Sequence, residues 1–316
     1  LLYRGKESIL EEIYIWSEKN LPRKLYNLSP QQNVVVYAAE EQTINDEFEP
    51  NQMQIQKSID FLFGGTRYEE FEKFDPKINL HFWSNFWLYK SVAAINFKKI
   101  KKKTKMKHLY IFLNNVAHYH RCMLMDMLYK KELSKQGIIS WHNNDKDPYK
   151  YRYWRPKKIT LTDDYKTNKD QFTLPAEFNK VFINLVAETT VRGIFVTEKT
   201  YNSILVKKPF ICLAAPGFHE FLRSQGFRMY DEIISYDFDK ENNLKKRIKM
   251  ILEQLANLRG QDYERLFKKI EEKVECNKKR ALEIVRNQEG VPEIAFGFKY
   301  YQDLIEDAQC RLDILE

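Results

Sequence analysis

Two glutamates, a threonine and a lysine between positions 188 and 199 are the residues of this sequence best suited to chemistry. An apolar run from Val181 to Ala187 ends on Glu188, a short polar loop follows, and Val196-Thr197-Glu198-Lys199 opens a helix. Thr197 is placed to cap that helix, since its hydroxyl can accept from a free N–H of the first turn. A helix start carries backbone donors and a positive dipole end, and Lys199 adds a full charge there. That set suits a phosphate or diphosphate, and Glu198 beside it can accept from ribose hydroxyls. The plainer reading is a capped helix with an exposed Glu–Lys pair, and the residues alone leave both open.

Other clusters are weaker. Asp237-Phe238-Asp239 follows an apolar run like a metal-holding DxD, but with 44 acidic residues such triplets arise by chance. His118 and His120 flank Tyr119 without a third ligand at metal spacing. Sitting next to Arg121, they suit a supporting donor role at a phosphate better than a metal. Tyr149 to Arg155 interleaves aromatic and cationic side chains. Tyr151 and Trp154 there can stack on a sugar or base, or the loop can pack its own aromatics.

Familiar nucleotide and hydrolase motifs are missing: no GxxxxGK[ST], no GxGxxG after a strand, no GxSxG and no HExxH. Only 10 glycines occur in 316 residues, well under the roughly 7% typical of proteins, so common ATPase, kinase and dinucleotide-enzyme readings are poor. The net charge is +8, but seven lysines lie in Lys98–Lys107, and without that segment the chain would carry +1. The basicity is therefore one local feature, unlike the spread charge of a nucleic-acid-coating protein. Cys122, Cys212, Cys276 and Cys310 form no CxxC pair and read as reduced thiols, pointing to a cytoplasmic setting with membrane-peripheral contact as an option. No run of 18 apolar residues is present. Leu1 in place of Met fits a piece of a longer protein.

The elements that must position these residues alternate between short β-branched or aromatic runs and longer amphipathic stretches, the α/β pattern. Spacing of Ile9, Leu10, Ile13 and Trp16 predicts a helix over Lys6–Leu21. Strands are expected at Asn33–Ala39, Asp60–Gly64, Asn79–Trp83, His108–Asn114, Val181–Ala187, Pro209–Leu213 and Glu232–Ser235. Helices are expected near Tyr119–Lys135, after Thr197, along the charged stretch Asn242–Gln288, and at Ile294–Leu315. Phe82, Trp83, Phe86 and Trp87 read as a core-facing strand-to-helix corner. Two α/β units meeting at the lysine run, residues 1–105 and 106–290, with a C-terminal helix over 291–316 that can pack back on the first, are the simplest account. Their cleft is the expected site.

Three stretches, in order, resemble the family-10 fucosyltransferases. Glu188, nine residues, then Glu198-Lys199 with Val-Thr-Glu-Lys intact is similar to that family's FEN…YVTEK signature. Asn114–Leu128 is similar to its SN…R segment, and Tyr37-Ala38-Ala39-Glu40 with Pro50 and Asp60–Gly64 to its YTGE…PNF…DYAIGFD stretch. The resemblance implies a GT-B-like fold, two Rossmann-like domains facing a central cleft, with a helical C-terminal tail. It implies donor binding by Arg121, Glu188, Thr197, Glu198 and Lys199, and Glu40 as catalytic base with Glu41 as a competitor. The family's Phe-Glu-Asn reads Ala187-Glu188-Thr189 here, and its glycine/tyrosine loop is replaced by Thr190-Val191-Arg192-Gly193. Glycosyltransferase is therefore better supported than fucosyltransferase.

The expected chemistry is metal-independent inverting transfer from a nucleoside-diphosphate sugar, with a GDP-sugar favoured and fucose the first guess, and no cofactor required. Arg121 and Lys199 would stabilise the departing diphosphate. A glycan hydroxyl is the expected acceptor, met by Tyr151 and Trp154. Lys98–Lys107 is read as a solvated hinge or a contact for an anionic surface. The alternatives are a glycosyltransferase acting on nucleic acid, or a nucleotide-sugar-binding or glycan-binding module without catalysis.

Overall fold

The computed structural model describes residues 12–15, 34–38, 59–66, 78–97, 105–142, 149–161 and 172–316. Two four-stranded parallel sheets organise them. The first runs in sequence order: β1 (Glu12–Ile15), β2 (Val34–Ala38), β3 (Ile59–Phe63) and β4 (Ile78–Phe82). The second holds β5 (His108–Asn114), β6 (Gly137–Trp141), β7 (Val181–Ala187) and β8 (Phe210–Leu213) in the order β6-β5-β7-β8. Parallel strands covered on both faces read as unbroken apolar runs, and β7 is buried at every position. Its one polar residue, Asn184, donates to the Ser203 hydroxyl at 2.7 Å.

Strand order decides where a ligand can sit. From β5 the chain passes through α2 (Tyr119–Lys130) to β6 on one side, then places β7 on the other. β5 and β7 are thus the neighbours at which the order reverses, and the crevice outside their carboxyl ends is the binding place of such sheets. From β7 the chain passes through α3 (Glu198–Leu205) to β8, then α4 (Phe218–Ser224).

The remaining helices hold the two sheets in one apolar core. α1 (Phe86–Ala94) follows β4 and packs against α6 (Tyr263–Arg286) and α7 (Lys299–Cys310), while α5 (Leu244–Leu258) and α8 (Leu312–Leu315) contribute to the same core. Trp83, fully buried, meets Phe86, Tyr89 and Tyr301 edge-on at 5.3, 5.2 and 5.8 Å between ring centroids. Arg311 donates to the Ala93 and Ile95 carbonyls at 2.6 and 2.7 Å, closing the C-terminal end of α1. The Tyr89 hydroxyl reaches the Ile284 carbonyl and the Tyr201 hydroxyl reaches Asn85 Oδ1, so α1 is tied to α6 and α3 as well. Among the described residues no helix is long and apolar enough to cross a membrane.

The structure corrects two expectations about elements, adds one strand and divides one helical stretch. Glu12–Ile15 is a strand, not the middle of a helix over Lys6–Leu21. Ile13-Tyr14-Ile15 pairs in register with Val35-Val36-Tyr37, and sheet pairing overrides a spacing that also fits a helix. Glu232–Ser235 is not a strand: Ile233 and Ile234 both donate to the Tyr230 carbonyl, closing a turn. Gly137–Trp141, unread in the sequence, is the edge strand β6. The charged stretch Asn242–Gln288 is two helices, parted at Gly260, whose φ of +77° no helix accepts.

Candidate functional site

Glu188 follows the last residue of β7 and is the hub of the polar contacts at that end of the sheet. Its N–H donates to the Leu213 carbonyl at 3.0 Å, fastening the ends of β7 and β8 together. Its own carbonyl accepts from His120 Nε2 at 2.8 Å and Arg121 Nη2 at 3.0 Å, both in the first turn of α2. Its carboxylate, with no exposed surface, accepts from the Thr197 N–H at 3.2 Å, the Thr197 hydroxyl at 2.5 Å and the Thr200 hydroxyl at 2.6 Å. One residue therefore joins both strands to the starts of both crossover helices.

Thr197 caps α3 as its sequence context predicts. Having donated to Glu188, its hydroxyl oxygen accepts from the Lys199 N–H at 3.4 Å and from Lys199 Nζ at 3.1 Å. Lys199 Nζ also pairs with Glu198 Oε1 at 3.1 Å, with both side chains partly open to solvent. Arg121, Glu188, Thr197, Glu198 and Lys199 are thus one connected chain of polar contacts. The Arg121 guanidinium is buried, and Nη1 donates to the Val116 carbonyl at 2.8 Å, so it also fixes the turn between β5 and α2.

Electrostatics follow from this burial. Desolvation pushes the Glu188 carboxyl above its usual range, against the pull of the Lys199 charge and the Thr197 and Thr200 hydroxyls. Burial, and after it the Arg121 charge, hold His120 well below the ordinary histidine value. A neutral ring with its proton on Nε2 is the form that can donate to the Glu188 carbonyl. His118 lies parallel to it at 5.9 Å.

Other sequence candidates land elsewhere. Glu40 lies outside the described residues, two positions beyond β2; so does most of Lys98–Lys107. Trp154 is only 6% exposed: its ring stacks on Tyr129 at 5.6 Å and meets the edges of Trp141 and Tyr151 at 5.0 and 5.3 Å. Tyr151 is half-buried and meets Tyr149, which in turn meets Tyr119 at the start of α2. Asp126 pins this loop to α2 by accepting the N–H groups of Arg152, Tyr153 and Trp154 at 3.0, 2.8 and 3.0 Å. The Asp237-Phe238-Asp239 triplet forms a short 3-10 turn. Asp239 accepts from the His219 and Glu220 N–H groups and bonds His219 Nδ1 at 2.7 Å, supplying the cap that Gly217 lacks. Among the described residues no group of three His, Cys, Asp or Glu side chains is arranged to hold a metal.

Several participants escaped sequence reading. Thr200 lies three positions from Thr197, a local spacing that brings both hydroxyls to one side of the helix start. Thr66, just past β3, donates from N–H and hydroxyl to the Ile194 carbonyl at 3.3 and 2.9 Å, and so links the first sheet to the loop before Thr197. No local signal marks that pairing across 128 residues.

Neither a protein-family model nor a curated protein matches the chain. A crystal structure of an alpha1,3-fucosyltransferase is similar at a TM-score of 0.36 and 12% identity, over 83% of this chain and 89% of that one.

Proposed function

We propose that the chain is a glycosyltransferase of GT-B type, taking a sugar from a nucleoside-diphosphate donor to a glycan hydroxyl with inversion and without a metal. The observation that carries this is the connected set Arg121–Glu188–Thr197–Lys199–Glu198 at the carboxyl ends of β5 and β7. Lys199 at the capped start of α3 offers a diphosphate a point charge at the positive end of a helix dipole, and Glu198 offers an acceptor to ribose. Arg121 adds its charge from behind the Glu188 carbonyl. Glu188 has the role of a positioning residue, since all its polar groups hold other parts of the site.

The acceptor oxygen attacks the anomeric carbon as the bond from that carbon to the diphosphate oxygen breaks. The hydroxyl proton passes to Glu40, and the nucleoside diphosphate departs with the bonding pair. Tyr151 is the candidate acceptor contact, with Trp154 packed behind it. A GDP-sugar, with fucose as the first sugar to try, follows from the sequence resemblance.

The test is thermal stability in the presence of GDP, UDP, dTDP, ADP or CDP, with and without Mg²⁺. A ligand at about 100 times its dissociation constant adds roughly 2.7 kcal/mol of apparent stability. The expected result is a rise with one nucleotide, unchanged by Mg²⁺ and lost in Lys199→Ala. No rise with any nucleotide sinks the donor reading. Glu40→Gln should keep nucleotide binding and lose transfer, and full transfer by that variant removes the base assignment.

A further inference from the structure

Arg247 has no role in the site just described, and its surroundings are unusual for a cation. It lies in the first turn of α5 and is 3% exposed. The turn reads Leu244-Lys245-Lys246-Arg247 and contains no acidic residue, so three cations crowd the positive end of a helix dipole. Lys245 and Lys246 point to solvent; Arg247 does not. Its Nη1 donates to the Glu241 carbonyl at 2.7 Å, two residues before the cap Asn243, so the guanidinium folds back over the helix's own N-terminal end. Its Nε is buried with no hydrogen-bond partner, and no described carboxylate lies within ion-pair distance of it. Asp239 and Glu241 act on its charge only at longer range, and the charge of Arg247 is felt by His120.

A buried guanidinium stays charged, and leaving it without a counter-charge is costly. A bound anion would satisfy the free Nε and supply the close counter-charge that Asp239 and Glu241 do not. We propose that Arg247 is an oxyanion-binding residue whose guanidinium meets phosphate oxygens bound at the start of α5. The identity of that phosphate as the donor's diphosphate rests on the glycosyltransferase reading. The need for an anion rests on Arg247 alone.

The experiment is isothermal titration of the full chain, as wild type, Arg247→Met and Arg247→Lys, with inorganic phosphate, pyrophosphate and the five nucleoside diphosphates. Melting of each ligand-free protein is measured alongside. The expected result is that Arg247→Met weakens pyrophosphate and nucleotide binding by about tenfold or more, with Arg247→Lys between the two. Ligand-free Arg247→Met should melt no lower than wild type, because it removes an uncompensated charge. Arg247-dependent binding of phosphate or pyrophosphate without any nucleotide supports the oxyanion site and removes the donor reading. Nucleotide binding that is equal in wild type and Arg247→Met overturns the assignment and spares the donor reading. No binding of any of these anions by the wild type overturns both. If both variants melt well below wild type, Arg247 is a structural tie to Glu241, and the proposal falls.

Discussion

At the scale of single residues, Glu188 does the most. Its carboxylate answers three donors, so Glu188→Ala leaves the Thr197 N–H and two hydroxyls without their acceptor inside the protein. A loss of about 2–4 kcal/mol is expected by urea unfolding. Glu188→Gln keeps one carbonyl oxygen and should cost about half of that. The two proteins should also differ in pH dependence. Burial raises the folded-state pKa of Glu188 above the ordinary 4.5, so the folded protein holds this proton more tightly than the unfolded one. Its contribution is full below pH 4.5 and declines as pH rises through the raised value. Wild type should therefore lose stability relative to Glu188→Gln as pH increases from 4.5, and a difference that is flat or grows with pH contradicts the burial argument.

At the scale of elements, the α3 start and the β6 edge make separate demands. Thr197→Ala removes the cap of α3 and an oxygen that accepts twice from Lys199, which should cost about 1–2 kcal/mol, while Thr197→Ser should restore most of it. Chemical denaturation of the three proteins decides this. In the second sheet, Gly137 pairs with Tyr110, and a Cβ there would stand 2.4 Å from the Tyr110 ring. That ring cannot swing aside, since it is fully buried and its hydroxyl donates to the Leu133 carbonyl at 3.1 Å. Glycine under an aromatic neighbour is what lets β6 lie against β5 at all. Gly137→Ala should destabilise the protein by about 1–3 kcal/mol, and a melting temperature equal to wild type would show that the strand can shift.

At the scale of the whole molecule, the C-terminal segment closes on a helix more than two hundred residues earlier. Arg311 donates to Ala93 and Ile95, and Tyr301 fills the aromatic cluster around Trp83. These contacts brace α1, whose N-cap residue is Asn85, the partner of Tyr201 in α3. Arg311→Ala should cost about 1–3 kcal/mol and should speed amide exchange in the last turn of α1, where two carbonyls lose their donors. Unchanged exchange there would mean that apolar packing alone holds the segment.

Features whose causes are local were legible in the residues. The apolar run Val181–Ala187 read as a buried strand, and Thr197 ahead of Glu198-Lys199 marked the helix start, because a cap acts within two or three residues. The buried corner of Trp83, Phe86 and Trp87 was legible for the same reason. Tertiary structure alone decided which way Glu188 turns, since its partners Thr200, His120 and Arg121 come from helices on two sides of β7. It also decided that Asp239 serves His219, that Trp154 packs inward, and that Glu12–Ile15 pairs as a strand. A carboxylate or an indole carries no record of its orientation in the residues beside it. That orientation is set by donors and surfaces that lie tens of residues away and meet it only when the chain has folded.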